Sequence, residues 1–503
     1  MKIHYLGHSE FVVEMQNAEK KPVKILSDTW LSDYAFWDMM MRNPKIEIDY
    51  SKLDIDAIFI SHSHCDHFDP YTLTEIYKNI HPRPLLLVPE TLSFIVPLLS
   101  EYLPKQKIQI LKNRQIFNLN GIDIEGIVFE NNYITNEDDV MTLAISNDTE
   151  LLYTDVDTVP PENEESIELL YNLFTSKNFD QALYMSTRNE LAGNMRIIEA
   201  QTSKERKKIA SEYKEQRKEE MEYNYIRFDE EFIESSDIQD LPYFMKAVNG
   251  QWIMHHDPEF LKLRILKLDE EADIERSLAK KHKKNFPITH FIPGKTHIIE
   301  KRKFEVGNDV YFLKKCEYLD PKTDLDTPIF RNINDKTLGF WPLSQRNGNY
   351  KAQEQKILDA LNNKFLPYRL ANVEDPLKNA ILQAKNRRYV IKIKYGNSVE
   401  YFEKNYYFDF ASTGFQLEKG EHTGYQEDYW ANDIDDFLEG HQELYSNFWH
   451  TLTPGKAYRF WTCLGANFLN NDILLKKYKF HFKRASIEKD VESFVLPMIK
   501  GRR

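Results

Sequence analysis

The ten residues SHSHCDHFDP, at positions 61–70, constrain the chain more than any other segment. They place three histidines and two aspartates directly after the apolar run AIFI at 57–60. The next residues, DPYTLTEIYKNI, have an Asp-Pro start and helical spacing, so the cluster lies in a loop between a strand and a helix. Imidazole nitrogens and carboxylate oxygens are ligands that suit Zn, Fe, Mn or Ni. This segment therefore predicts a metal site.

The spacing inside the cluster divides its side chains into two pairs. His62 and His64 are two residues apart, so in an extended segment they point the same way. Asp66 and His67 follow at once and can face a neighbouring position, which suits a two-metal site. By the same alternation Cys65 points away from His64, which favours a packing role. We predict one or two divalent ions, either Zn, Fe or Mn.

Composition excludes several other classes of protein. The 503 residues suffice for several domains, and 42% hydrophobic with 13% aromatic content argues for folded structure. A net charge of −13 disfavours a nucleic-acid partner, which usually meets a basic face. The three cysteines (Cys65, Cys316 and Cys463) are far apart, which fits a reducing compartment. Without a signal-peptide pattern or a run of 18 apolar residues, we expect a cytoplasmic protein with no membrane partner.

The chain changes character several times along its length. Short strands with interspersed helices occupy the first part, which is typical of a layered α/β fold. Residues 200–285 are highly charged and predict a helical insertion, after which NFPITHFIPGKTHI returns to strand character. Turn-rich segments at 301–345 indicate a linker. From 346 to 503 we predict a C-terminal α+β domain, with a hairpin in RRYVIKIKYGNSVEYFEKNYYFDF.

Several motifs together resemble a known family. HSHCDHFDP resembles the HxHxDH motif of the metallo-β-lactamase superfamily, and YLGHSEFVVEM and ILSDTWLS resemble the opening strands of its ascorbate-6-phosphate-lactonase-like branch. DAIFISHSHCDHFDPYTL and LLYTDVDT are similar to segments of CMP-N-acetylneuraminate hydroxylase. The resemblance covers about residues 1–300 and implies an αββα sandwich with metals at one edge of two packed sheets. The Rieske domain of that hydroxylase has no counterpart here, because the paired Cys and His spacings are absent.

The resemblance also implies roles for individual residues. His62 and His64 would serve one metal, and Asp66 and His67 the other. Asp157 would bridge the two, with Asp155 as its competitor. The late histidine ligand would be His297, with His290 as its rival. Asp66 and Asp157 would be the catalytic carboxylates.

The chain departs from the superfamily pattern at one place. The histidine expected between the cluster and the bridging aspartate is absent from GIVFENNYITNEDDVMTL. Residues that could stand in for it are Glu130, Asn131, Asn132, Asp138 and Asp139. A carboxylate there would shift the preference from Zn towards Fe or Mn.

Five further residues are candidates around the site. His8 lies near the active site of the resembled branch and is either a pocket residue or a support bonded to a carboxylate. Asp28 is expected to support the cluster without binding metal. Arg188, Arg196 and Lys295 could bind the anionic group of a substrate.

Three functions fit these features. The first is a metal-dependent hydrolase of a small anionic lactone, ester or phosphoester, such as a sugar phosphate or nucleotide sugar. The second is an iron-dependent oxygenase of a similar substrate, supplied by a separate reductant. The third is a non-catalytic metal-binding or scaffold protein. A homo-oligomer is left open.

Overall fold

The computed structural model describes most of the N-terminal half of the chain and separate segments of the remainder. The described residues are 1–35, 40–42, 44–103, 106–129, 140–158, 164–187, eight positions between 204 and 222, 244–249, 252–254, 268–282, 287–301, 303–317, 350–365, 389–396, 400–409, 414–417, 425–439 and 471–487. They fall into two compact units, the first comprising the described residues up to 317 and the second those from 350 onward.

The first unit is built mainly of short strands. Its strands are β1 (Lys2–Gly7), β2 (Glu10–Gln16), β3 (Pro22–Ser27), β4 (Tyr34–Ala35), β5 (Met40–Arg42), β6 (Lys45–Ile48), β7 (Ala57–Phe59), β8 (Leu85–Pro89), β9 (Ile108–Leu111), β10 (Ile116–Leu119), β11 (Ile122–Ile127), β12 (Thr142–Ser146), β13 (Glu150–Thr154), β14 (Gln181–Thr187), β15 (Phe244–Asn249), β16 (Trp252–Met254), β17 (Ile288–His290), β18 (Lys295–Glu300), β19 (Lys303–Asp309) and β20 (Leu313–Glu317). Its helices are α1 (Pro70–Asn79), α2 (Val96–Tyr102), α3 (Glu164–Thr175) and α4 (Leu268–Lys281), with a 3₁₀ helix at Glu90–Ile95.

Two large sheets organise this unit. The first has the order β19-β18-β1-β2-β3-β7-β8-β9, and the second β10-β11-β12-β13-β14-β15-β17. In the first sheet β3, β7, β8 and β9 run parallel, while β1, β2, β18 and β19 pair antiparallel. In the second sheet β13, β14, β15 and β17 run parallel. Parallel strands bring their carboxyl ends to one edge of a sheet, which is where the metal-type residues lie.

The main hydrophobic core lies between the two sheets. Alternate residues of each strand point into it, as the period-two pattern requires. The first sheet contributes Tyr5, Phe11 and Phe59, and the second contributes Leu143 and Leu152, all of them buried. This face-to-face packing confirms the layered α/β architecture predicted from the sequence.

The outer face of the second sheet is covered by α3. Leu170 and Phe174 of this helix pack against Tyr153, Ala182 and Tyr184, which alternate with the inward-facing residues of β13 and β14. On the first sheet, α1 connects the parallel strands β7 and β8. Its apolar residues Leu73 and Ile76 are fully buried. The sandwich is therefore built with helices and strands in layers.

The second unit is α+β, as predicted. It contains α5 (Tyr350–Ala360) with a π-helical turn at Leu361–Phe365, β21 (Tyr389–Gly396), β22 (Tyr401–Asp409), β23 (Gly414–Leu417), β24 (Tyr425–Trp430), α6 (Ala431–Leu438) and α7 (Asn471–Ile487). The predicted hairpin is present as β21 and β22, in a sheet of order β23-β22-β21-β24.

Two segments differ from the sequence-based expectation. The region 200–285, predicted to be a helical insertion, has helical positions between 204 and 222 and in α4, but it also supplies β15 and β16. The long connection into β15 is what its parallel pairing with β14 requires. Residues 303–317, assigned to a linker, form β19 and β20. Their side chains are mostly exposed, so their polar composition resembles that of a linker.

In the described part of the chain, every helix is too short or too polar to cross a membrane.

Candidate metal centre

Two parallel strands of the first sheet bring the central residues together. Asp28 directly follows β3 and Ser61 lies just beyond β7, and these strands are neighbours. The Asp28 carboxylate accepts hydrogen bonds from the Ser61 backbone N–H at 2.8 Å and from the Ser61 hydroxyl at 3.0 Å. These bonds fix the start of the histidine loop. The loop ends at Asp69, whose side chain caps α1 by accepting from the Tyr71 backbone N–H.

The turn between β1 and β2 reaches the same edge. Because β2 runs antiparallel to β3, Phe11 at the start of β2 pairs with Ser27 at the end of β3. His8 in the turn is therefore brought to the histidine loop, where it is fully buried. Its Nε2 lies 3.2 Å from Asp66 Oδ2.

The second sheet contributes the aspartate that follows β13. Asp157 Oδ2 lies 3.1 Å from His67 Nε2 and 3.8 Å from His62 Nε2. The rival Asp155 instead accepts a hydrogen bond from the Tyr184 hydroxyl at 2.9 Å. The structure thus brings Asp157, the favoured of the two, into the cluster.

The ligand-type side chains form two groups among the described residues. His62, His64 and Asp157 make one group, and His8, Asp66 and His67 make the other. Within each group one ligand atom per residue lies within 4.8 Å of the others. The two pairs that the sequence spacing separated, His62 with His64 and Asp66 with His67, fall into different groups.

The two ring nitrogens of His67 contact carboxylates that follow strands of different sheets. Its Nδ1 lies 2.8 Å from Asp28 Oδ2, so Nδ1 carries the proton when it donates to this carboxylate. Its Nε2 then faces Asp157. A carboxylate behind a histidine fixes the ring and makes the other nitrogen a better ligand, so Asp28 has the supporting geometry expected of it.

Burial and neighbouring charges shift the pKa values of these side chains in different directions. Burial, together with the neighbouring His67 and His64, lowers the pKa of His62 well below 6.5, so this imidazole is neutral. Burial acts to lower the pKa of His67, but the carboxylates of Asp157, Asp28 and Asp66 outweigh it and raise that pKa well above 6.5. Burial acts to raise the pKa of Asp157, but His67 and His62 outweigh it and lower that pKa.

Several donor atoms at the centre are buried and lack hydrogen-bond partners within the described ranges. These atoms are both ring nitrogens of His8, Asp66 Oδ1 and Asp157 Oδ1. Buried polar atoms are rarely left unpaired, and an ion is one of the things that can satisfy them. Together with a donor set of imidazole nitrogens and carboxylate oxygens, they fit one or two ions of the Zn, Fe or Mn class.

The late histidines lie outside both groups. His297, expected as a ligand, is on β18 with its ring packed between Phe291 and Phe304, and its Nε2 lies 3.0 Å from the Ile292 backbone nitrogen. On β18, which pairs with β1, His297 lies in this aromatic packing and not in either donor group of the described residues, where a metal contact was expected. His290 ends β17, which runs parallel to β15.

The candidate residues for anion binding are only partly described. Lys295 is partly exposed, and its ammonium pairs with Asp309 at 2.6 Å. Arg188 and Arg196 lie outside the described residues. So do the stand-ins for the missing middle histidine: Glu130, Asn131, Asn132, Asp138 and Asp139.

A buried ion pair beside the centre was not anticipated from the sequence. Arg42 donates to Glu10 Oε2 at 2.6 Å, and neither side chain is exposed to solvent. The same guanidinium donates to the backbone carbonyls of Leu6, Gly7 and Trp30. No local pattern in the sequence marks Arg42 or its pairing with Glu10.

Comparisons with known proteins agree with this architecture. A model of the beta-lactamase superfamily domain matches residues 2–140. The chain is 33% identical over 66 residues to a UPF0173 metal-dependent hydrolase of Thermofilum pendens, an alignment covering 13% of this chain and 26% of that protein. The part of the chain that resembles this superfamily domain is therefore residues 2–140. The chain spans only about a quarter of the length of that relative.

Some solved structures match part of the chain at low sequence identity and low TM-score. The metallo-beta-lactamase fold protein YhfI from Bacillus subtilis is 11% identical, with a TM-score of 0.31, and the match covers 59% of this chain and 98% of that one. CmlA, a diiron beta-hydroxylase from Streptomyces venezuelae, is 10% identical with a TM-score of 0.34, covering 58% and 53% of the two chains. The mixed α/β architecture is consistent with the metallo-β-lactamase fold.

Proposed function

We propose that the protein is a metal-dependent hydrolase acting on a small anionic lactone, ester or phosphoester, such as a sugar phosphate or nucleotide sugar. The observation that supports this most is that two buried groups of possible metal ligands lie next to each other. They are in contact through His67 of one group and Asp157 of the other. The motif around the Gly7–His8 pair also supports a place in the ascorbate-6-phosphate-lactonase-like branch. The similarity to a metal-dependent hydrolase points to the same reaction class.

The residues of the centre would have different roles in such a reaction. Metal ions, when bound, supply Lewis acidity and make water a stronger nucleophile near neutral pH. His62, His64 and Asp157 would hold one ion, and Asp66 and His67 would hold the other. Asp28 holds the His67 ring through Nδ1, so that Nε2 faces the centre.

Asp66 and Asp157 are the candidates for moving the proton. Each has one carboxylate oxygen, Oδ1, that is buried without a hydrogen-bond partner among the described residues. Such an oxygen can accept a hydrogen bond from the attacking water and orient it towards the substrate. Burial acts to raise the pKa of Asp66, but His67 and His8 outweigh it and lower that pKa, which keeps Asp66 an acceptor.

The donor set also supports a second candidate, an iron-dependent oxygenase. Carboxylate oxygens together with imidazole nitrogens suit iron as well as zinc. Such an enzyme would draw electrons from an external reductant. A metal-stabilised scaffold is the third reading, and it shares the same donor groups.

Metal analysis with parallel activity assays tests the proposal. We would measure the metal content of aerobically and anaerobically prepared protein, hydrolysis of generic lactones, carboxylic esters and phosphoesters, and O₂ consumption with a chemical reductant. Hydrolysis without O₂ consumption, lost in His62→Ala and His64→Ala, is the expected result. His282→Ala, a histidine at the end of α4, is the matched control.

Two outcomes would contradict it. Reductant-dependent O₂ consumption with bound iron and no hydrolysis would favour the oxygenase. Protein that holds no metal, and whose thermal stability is unchanged in His62→Ala and His64→Ala, would favour the scaffold.

A further inference from the structure

His8 is buried but unsatisfied. The ring is fully buried in the turn between β1 and β2, and neither of its nitrogens has a hydrogen-bond partner in the described parts of the chain. Nε2 lies 3.2 Å from Asp66 Oδ2 without hydrogen-bonding geometry, and the ring centroid is 5.1 Å from that of His67. A buried imidazole that makes no hydrogen bond within the described residues, and whose Nε2 has only the Asp66 carboxylate nearby, requires an explanation.

The backbone of His8 adds a second, independent observation. Its φ is 52°, in the left-handed region that residues other than glycine seldom adopt. Strained positions of this kind persist where the surroundings hold them, and they concentrate at functional sites. The side chain at this position faces Asp66 and His67.

Three contacts hold the turn in this conformation. The Tyr5 hydroxyl donates to the His8 carbonyl at 2.8 Å. Arg42 donates to the carbonyls of Leu6 at 2.7 Å and Gly7 at 3.2 Å, and is itself fixed by Glu10. The position of His8 is therefore determined by buried polar contacts on both sides of the turn.

His297, the histidine expected late in the chain as a ligand, does not lie in the donor group of Asp66 and His67. The His297 ring is packed against Phe291 and Phe304, and its Nε2 faces the Ile292 backbone. In the described part of the chain, the donor group around Asp66 and His67 is completed by His8.

We propose that His8 is a metal ligand, which with Asp66 and His67 holds one ion in the place expected for the late histidine. The inference rests on the proposed function, because it assigns a ligand to one of the two donor groups. It makes the turn after the first strand part of the metal centre. The competing role for His8 is a hydrogen bond that only orients Asp66.

Metal stoichiometry tests this without relying on turnover. Wild type, His8→Ala, His8→Gln and His297→Ala would be loaded with Zn²⁺ or Co²⁺, desalted and measured by elemental analysis, with near-ultraviolet circular dichroism as the check on folding. We expect His8→Ala to hold one equivalent fewer than wild type and His297→Ala to hold the same number. Added imidazole should restore the missing equivalent to His8→Ala.

His8→Gln separates ligation from orientation and covers the case in which the alanine variant fails to fold. Glutamine retains a side chain able to hydrogen-bond Asp66 but is a poor metal ligand. Loss of one equivalent, with altered Co²⁺ absorption bands, supports ligation, whereas full stoichiometry and unchanged bands overturn it. Wild type that binds no metal would refute the proposed function itself, whereas metal-replete wild type and His8→Gln would refute only the role of His8.

Discussion

The Asp28 carboxylate lies 2.8 Å from His67 Nδ1 and receives the Ser61 backbone N–H through its other oxygen. One buried aspartate therefore sets both the start of the histidine loop and the orientation of its last histidine. Replacing a carboxylate in this position costs about 10–100-fold in metal affinity in comparable sites.

We accordingly expect Asp28→Asn to weaken metal binding by about 10–100-fold, because the amide no longer favours the His67 tautomer with a free Nε2. Competition with a chelating dye would measure the affinity. Asp54→Asn is the matched control, because Asp54 is an exposed carboxylate paired with Lys24. An affinity equal to wild type in Asp28→Asn would show that Asp28 does not support the metal centre.

The buried pair of Glu10 and Arg42 predicts a large loss of stability when one partner is removed. Arg42→Met leaves the Glu10 carboxylate and three backbone carbonyls without their donor, and breaking a buried pair costs about 3–5 kcal/mol. Urea unfolding followed by tryptophan fluorescence would measure the change. Lys295→Met removes an exposed pair and is expected to cost at most about 1 kcal/mol. Equal effects of the two substitutions would contradict this prediction.

The packed core between the sheets predicts that two isoleucines on paired strands differ in how much they contribute to the free energy of unfolding. Ile124 of β11 is fully buried, whereas Ile116 of β10 is 57% exposed. Ile124→Ala should destabilise the protein by about 2–5 kcal/mol because it leaves a cavity. Ile116→Ala should change the free energy of unfolding by less than about 1 kcal/mol. Similar denaturation midpoints for the two variants would argue against the packed sandwich.

Glu14 predicts how stability depends on acid pH. Contact with His4, followed by the hydrogen bond and charge of Lys2, lowers its pKa from 4.5 to about 2. The folded state therefore favours the ionised form, and this contribution is complete above pH 4.5 and is lost as the pH falls to about 2. Glu14→Gln should be less stable than wild type by about 1 kcal/mol at neutral pH.

The difference between Glu14→Gln and wild type should shrink between pH 4.5 and about 2, which is measured by urea unfolding across that range. A difference that stays constant over this range would show that the lowered pKa of Glu14 does not contribute to stability.

The parts of the site that the sequence could predict are those set by local spacing. His62, His64, Asp66 and His67 are neighbours in the chain, so their arrangement follows from a strand end and a short loop. The family resemblance, through ILSDTWLS and LLYTDVDT, pointed to Asp28 and to a carboxylate after β13. The choice of Asp157 over Asp155 depended on the resemblance, and the Tyr184 contact supplies a physical reason for it.

The remaining features depend on contacts between residues far apart in the chain. The contact of His8 with Asp66 requires the antiparallel pairing of β2 with β3, which brings the first turn to the loop. The burial of Arg42 depends on carbonyls at the end of β1 and just after β3. The strands β19 and β20 escaped prediction because exposed edge strands carry the polar residues that also mark linkers.

The contact between His67 and Asp157 has a consequence for biosynthesis. The two residues are 90 positions apart, and they belong to different sheets of the sandwich. A nascent chain that has released only the histidine loop from the ribosome has His62 and His64 without their carboxylate partner. Capture of the proposed ions would therefore be coupled to docking of the second sheet, and the growing polypeptide would reach its full affinity for them only after β13 has emerged and folded.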